Sequence, residues 1–150
     1  MKSLDRTTEL VTFYVGNTLC GIDIAEVQEI NKSATLTEVP RSPTYVRGIM
    51  NLRGQVVTVI DVAKKVGLGS TDWSAEMRHI IVHSQNGSVG LLVRKIGDVV
   101  SVDRQEKDSS PANMNGVQGK FFTGVFKRKD QLIGALDVES ILSFEWGEER

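Results

Sequence analysis

Cysteine is nearly missing from this sequence: Cys20 is the only one in 150 residues. That excludes a disulfide framework and a cysteine-built metal site, and it suits a reducing compartment. Cys20 lies in "LCGIDI", an apolar setting that predicts a small buried side chain rather than a reactive thiol. An excess of charge is missing too. Lys and Arg number 18 and Asp and Glu 19, for a formal net charge of −1, without the basic surplus usual in nucleic-acid binders. The short cluster Lys127, Arg128, Lys129 is followed by Asp130 and reads as a solvated turn. Long apolar runs are also absent: the longest hold about five residues, against the ~20 that span a bilayer. The first ten residues, "MKSLDRTTEL", carry charge and no apolar stretch of signal-peptide length. The expectation is a soluble, intracellular chain of one domain or two small lobes.

What is present is a repeat. "GIDIAEVQEI" from Gly21 and "GLLVRKIGDV" from Gly90 share Gly-apolar-x-apolar-x-x-apolar-x-acid-apolar, 69 residues apart. "GIMNLRGQVVTVIDV" from Gly48 and "GVFKRKDQLIGALDV" from Gly124 align without a gap, 76 residues apart. The extra residues of the second copy fall in "EKDSSPANMNGVQ", rich in Ser, Pro, Asn and Gly, which predicts a surface loop. An internal repeat weighs more in fold assignment than any single motif.

Each copy is β-rich. "LVTFYVGNTLCGIDI" predicts two strands joined at Gly16-Asn17, and "HIIVHSQNGSVGLLV" two joined at Asn86-Gly87, a strong hairpin signal. β-branched residues fill the strands, as they prefer to. Ile24, Val27 and Ile30 are spaced by three, which favours one or two helical turns. "AKKVGL" and "ESILSF" predict short helices. A unit this small is marginal alone, so the two should pack as curled sheets or small barrels sharing apolar contacts. Closure also removes exposed edges. The repeat places one lobe near 10–69 and the other near 78–144, the chain ends being free to exchange. Residues 67–79 join them, with Trp73 expected to pack locally.

No motif carries catalysis. His79 and His83 are four apart in "RHIIVHS", which in a strand is one face. No acid or cysteine near them has ligand spacing, and a solvated strand face is the simpler reading. "GLGS" lacks the lysine of a phosphate loop. Asp61 and Asp137 recur after the last strand of each copy; a catalytic pair is conceivable, but each is better placed to cap the following helix. No rule accounts for Asp23.

One segment stands out. Asn51, Leu52, Arg53 and Gly54 interrupt the best apolar run, and the second copy has Lys127, Arg128, Lys129 and Asp130 in their place. The repeat unit therefore does not require "NLRG". Two readings stay open. It is a turn, since Asn and Gly tolerate positive φ. Or Arg53 is held by a carboxylate, for which Glu29 is the candidate, and shapes a binding surface.

"GIDIAEVQEI", "VPRSPTYVRGIMNLRGQVVTVIDV", "VGLLVRKIGDVV" and "GALDVESIL", in that order, resemble the CheW family of bacterial chemotaxis coupling proteins. The likeness runs from about Glu9 to Phe144 as a single domain. It implies a mainly β fold of two small five-stranded barrels with short helices. It implies a non-enzymatic adaptor without cofactor or metal. The partners implied are the regulatory domain of the histidine kinase CheA and the cytoplasmic tips of methyl-accepting chemoreceptors. The protein would be a monomer when free, cytoplasmic, not inserted in the membrane, and recruited to receptor arrays. The receptor-facing residues implied are Ile24, Val27, Glu29, Gly48, Asn51, Arg53 and Gly54, with Glu29 and Arg53 as an ion pair; the kinase face is not placed. Two departures stand out: Thr58 where the family carries proline, and Arg94 where it carries Asp. An auxiliary, non-flagellar chemosensory system is the alternative setting. A single-strand nucleic-acid barrel would need basic residues interleaved with aromatics, and an enzyme a cluster of acid, base and nucleophile; the sequence displays neither.

Overall fold

A computed structural model of the chain describes residues 6–32, 35–85, 87–109, 113–114 and 117–143. Asn86 of the second hairpin turn, Phe144 at the end of the family likeness, and part of the 106–118 loop lie outside the described residues. The strands are β1 Thr7–Val15, β2 Thr18–Asp23, β3 Val27–Asn31, β4 Val46–Leu52 and β5 Gln55–Asp61, then helix α1 Val62–Lys65. They continue as β6 Arg78–Ser84, β7 Gly87–Val93, β8 Lys95–Asp103, β9 Asn113–Met114, β10 Val117–Gln118, β11 Phe122–Arg128 and β12 Gln131–Leu136, then α2 Val138–Leu142. The 106–118 segment, expected as plain loop, thus holds the β9–β10 ribbon. Its Val117 is 1% exposed in the central core, which ties the insertion to the fold.

Ten strands form two five-stranded sheets, ordered β3-β6-β7-β5-β4 and β11-β12-β2-β1-β8. Their registers coincide under the repeat. Thr58 faces Val89 and Val59 faces Gly90 in the parallel β5–β7 pair; Gly134 faces Cys20 and Ala135 faces Gly21 in the parallel β12–β2 pair. Even the bulges match, between Val27 and Glu29 on β3 and between Val11 and Phe13 opposite β8.

The two sheets do not follow the two copies of the repeat. The β1–β2 hairpin of the first copy sits in the sheet of β8, β11 and β12, and the β6–β7 hairpin of the second sits in the sheet of β3, β4 and β5. The reason is the parallel pairing. A parallel neighbour needs a long connection: β5 reaches β7 through α1 and β6, and β2 and β12 lie at opposite ends of the chain.

Three apolar clusters result. Phe13, Ile22, Ile60, Ile80, Leu91, Phe122 and Ile141 belong to a large central cluster drawn from both sheets. Met50, Val57, Val59, Met77, Ile81 and Leu92 form a second cluster among residues of the first sheet and its neighbouring loop. Leu10, Val102, Phe126, Ile133 and Ala135 form a third in the other sheet.

Gly48 and Gly124, matched in the repeat, share one backbone role. Residue 37 pairs with Ile49 through two bonds of 2.8 Å, and Asp108 pairs with Val125 at 2.8 and 3.0 Å. Each crossing strand passes so close that a Cβ on the glycine would stand 2.6 Å from a carbonyl oxygen, of Thr37 or Asp108. Gly48 also has φ 150°. Close approach of two backbones is a condition that only glycine meets.

Candidate functional site

"NLRG" proves to be a hairpin turn and an anchor at once. Leu52 pairs with Gln55, leaving Arg53 and Gly54 as a two-residue loop with φ 51° and 87°, the double positive φ of a type I′ turn. Asn51 steadies it: its Oδ1 accepts the Gly54 N–H at 2.9 Å. The turn carries the Arg53 guanidinium across the open edge of the sheet to β3. There Nη1 donates to Glu29 Oε1 at 3.2 Å and Nη2 to Glu29 Oε2. With its amide oriented to donate, Asn31 also reaches Glu29 Oε1 at 3.0 Å. The two-point contact fixes the plane of the arginine as a single contact would not. The Arg53 bonds, with those of Asn31, hold Glu29 below the usual carboxylate range.

The site is a surface feature, with the Arg53 side chain 67% exposed and that of Glu29 24%. Such a pair adds little to stability; what it fixes is shape. The symmetry-related position is the control. Lys129 also has positive φ, 57°, yet among the described residues no ion pair joins it to Asp98, the counterpart of Glu29.

The remaining candidates fall into two groups. Ile24 belongs to a 3-10 turn at 24–26 and Val27 starts β3; the expected helical turns shrink to this one. Ile24 is exposed, and Val27 packs on the central cluster. Asp23, which no rule explained, caps this turn: it accepts from the Ala25 N–H at 2.9 Å and from the Thr8 hydroxyl at 3.0 Å. Gly48 lies at the far end of β4, against Thr37, in the backbone role already given.

Beside the 24–26 turn a groove of about 700 Å³ runs between the first sheet and α2. Val56, Val89, Val138 and Leu142 line it among more numerous polar residues, Glu26, Thr58, His83 and Gln85 among them. Val56 is 67% exposed. Burial, and next the Asp23 carboxylate, push Glu26 up from its ordinary range. Sequence reasoning missed this groove because its walls come from β5, β6, β7 and α2, which no spacing brings together.

It also missed a buried network. Asp61 caps α1 at Lys64 N–H, 3.5 Å, as expected, but it also takes Thr71 N–H at 2.9 Å, Thr71 Oγ1 at 2.6 Å and Arg47 Nη1 at 2.7 Å. Arg47 Nη2 continues to the Thr71 carbonyl at 3.0 Å. Asp137 does only the capping, at Ser140 N–H and Oγ, 3.4 and 3.0 Å. The signal was there: Arg47 aligns with Thr123, so the second copy has no cation to bring.

Two other expectations are corrected. His79 is not on a solvated face; it is 1% exposed, because β3 and β7 flank it. Its Nδ1 lies 3.1 Å from the Lys32 carbonyl, which assigns the proton to Nδ1, and burial holds its pKa down. His83, on the same strand, is exposed in the groove. Trp73 does not pack locally; it is 73% exposed. Cys20 is inert, its thiol pushed up to about 12 by burial. Among the described residues no three His, Cys, Asp or Glu side chains could hold a metal ion, and no helix is long and apolar enough to cross a membrane.

Two interlocked five-stranded sheets, with an anchored turn at one sheet's edge and a groove beside it, define a β-class protein. The chain belongs to the CheW-like domain family, which matches residues 9–145. It is 31% identical over 146 residues to "Probable chemotaxis protein CheW" of Rhizobium etli, covering 95% of this chain and 93% of that one. It is 28% identical over 143 residues to "Chemotaxis protein CheW" of Treponema pallidum, covering 93% and 84%. Its fold matches the crystal structure of the scaffolding protein TtCheW from Thermoanaerobacter tengcongensis with a TM-score of 0.86 at 28% identity, covering 97% of this chain and 94% of that one.

Proposed function

We propose that this protein is a chemotaxis scaffold that joins chemoreceptor tips to the histidine kinase CheA, performing no chemistry of its own. It works in the cytoplasm, recruited to receptor arrays at the membrane. Receptor tips are helical hairpins, and a helix-in-groove contact needs an apolar trough with a few polar fixers. The groove, where Val56, Val89, Val138 and Leu142 stand among polar residues, supplies the trough, and the Glu29–Arg53 pair between β3 and the β4–β5 turn supplies a fixer. The observation that carries this reading is the asymmetry of the repeat: Arg53 is anchored by two bonds to Glu29 at a position where the fold itself makes no such demand, as Lys129 demonstrates. A built surface without a structural need calls for a partner.

The test is a pull-down of the purified protein with a receptor-tip fragment and with the CheA regulatory domain, each alone and then together. Simultaneous capture of both is the expected result. Capture of the kinase domain alone would remove the receptor from the reading, and capture of neither would remove the adaptor role.

A further inference from the structure

The bulge on β4 between Val46 and Gly48 recurs on β11 between Phe122 and Gly124. Arg47 and Thr123 therefore hold the same bulge position in the two sheets. A bulge re-aims the side chain it carries. In the first sheet it aims a guanidinium at the aspartate before α1: Arg47 Nη1 donates to Asp61 Oδ2 at 2.7 Å. In the second sheet the matched aspartate before α2 is Asp137. It caps Ser140, and among the described residues no cation pairs with it.

Beside Asp137 lies a pocket of about 270 Å³. Its apolar lining includes Leu10, Phe126 and Ala135 of the third cluster. Thr8 lines it at the position that buried Met77 holds in the other copy, so bulk is lost there as well as charge. Four carboxylates line the pocket, Asp23, Glu26, Asp137 and Glu139, against two cations, Arg104 and Lys107. The two sets do not neutralise one another. Among the described residues no ion pair joins them, and Lys107 Nζ donates instead to the Thr123 hydroxyl at 3.3 Å. The carboxylates do feel one another: burial, and then Asp23, Asp137 and Glu139, push Glu26 up from its ordinary range. The first copy is thus a template for what the second can hold, a guanidinium set on an aspartate at the end of an apolar stem.

We propose that this pocket is a binding site for a guanidinium group on a short apolar stem, seated against Asp137, Glu26 and Glu139 as Arg47 is seated against Asp61. Two carriers share that chemistry, free arginine and an arginine side chain of a partner protein. Arg104 and Lys107 separate them, because they offer the carboxylate of the free amino acid a counter-charge that a peptide-bound arginine does not use. The site takes no residue of the β4–β5 turn and does not rest on the adaptor reading.

The experiment follows backbone amide shifts of the full chain during titration with N-acetyl-arginine amide, with free L-arginine and with the neutral isostere N-acetyl-citrulline amide. Saturable shifts at Leu10, Ala135 and Glu139 are expected with an arginine probe and not with the citrulline one. Tighter binding of free arginine assigns the site to the amino acid; equal or tighter binding of the amide assigns it to a partner's side chain. Glu139→Gln should weaken binding about fivefold. Thr123→Arg supplies the guanidinium from within, as Arg47 does in the first sheet, and should abolish binding, whereas Thr123→Ser should leave it near the wild-type value. Absence of saturable shifts with both arginine probes overturns the site. So does a citrulline probe that binds as tightly, or a Thr123→Arg variant that melts as the wild type does and still binds. A receptor-tip fragment that failed to bind the wild type would count against the adaptor reading and leave these outcomes intact.

Discussion

At the scale of single residues, the repeat turns each side chain into its own control. Arg53 and Lys129 occupy the same turn position with φ 51° and 57°, but only Arg53 is anchored. Arg53→Ala is expected to weaken binding of a receptor-tip fragment about tenfold, or about 1.4 kcal/mol, and Lys129→Ala to leave it near the wild-type value. Calorimetric titration of both variants checks this, and equal losses would count against the groove assignment. Neither change should move the melting temperature appreciably, since an exposed pair contributes little to folding.

His79 gives a pH prediction. Burial lowers its folded pKa below the ordinary 6.5, so the unfolded chain takes up a proton that the folded chain refuses. Stability is then unaffected above about pH 7 and falls as the pH drops through 6.5, by at most about 1.4 kcal/mol per pH unit. His79→Gln keeps a donor for the Lys32 carbonyl and removes the titration. Urea midpoints measured from pH 7.5 to 5.5 should decline less for His79→Gln than for the wild type; parallel curves would refute the assignment.

At the scale of elements, the two short helices start from matched aspartates with unequal duties. Asp137→Ala removes a cap and should cost about 1 kcal/mol. Asp61→Ala also strands Arg47 and the Thr71 hydroxyl in a largely buried setting, and should cost on the order of 3 kcal/mol. Chemical denaturation of the two variants compares them directly. Gly48→Ala should destabilise as well, because its Cβ would meet the Thr37 oxygen at 2.6 Å, and Gly124→Ala should follow it for the same reason at Asp108.

These elements also mark what could be read in advance. Strands and caps were legible because alternation, β-branched residues and Asp before a short helix act locally. The Glu29–Arg53 pair was legible as one of two readings, since the repeat exposed Arg53 as dispensable to the fold. The groove was not, because its walls meet only in the assembled sheets. Gly48 was read as part of a partner surface through family likeness, yet its close approach to residue 37 is a demand of the backbone. Trp73 and His79 went astray because burial at a loop tip or a strand end depends on what packs there, which composition does not encode.

At the scale of the whole molecule, the sheets share the central cluster, so neither has a finished core of its own. Unfolding is expected as one cooperative transition, with far-ultraviolet and near-ultraviolet signals coinciding; separated midpoints would mean that one sheet outlives the other.

The exchanged hairpins have a further consequence. Each copy lends two strands to the other and borrows two in return, as clasped hands do, so a cut between the copies does not free them. A backbone break in the segment around Trp73, between α1 and β6, would leave two fragments still knitted through the β5–β7 and β12–β2 pairs. Expressed separately, 1–72 and 73–150 should recognise one another and rebuild the fold in an equimolar mixture, whereas either alone should seek a second copy of itself. Size-exclusion chromatography of the mixture and of each fragment would tell. On this view the chain is a tethered heterodimer of its own halves, and the covalent link sets their ratio and not their grip.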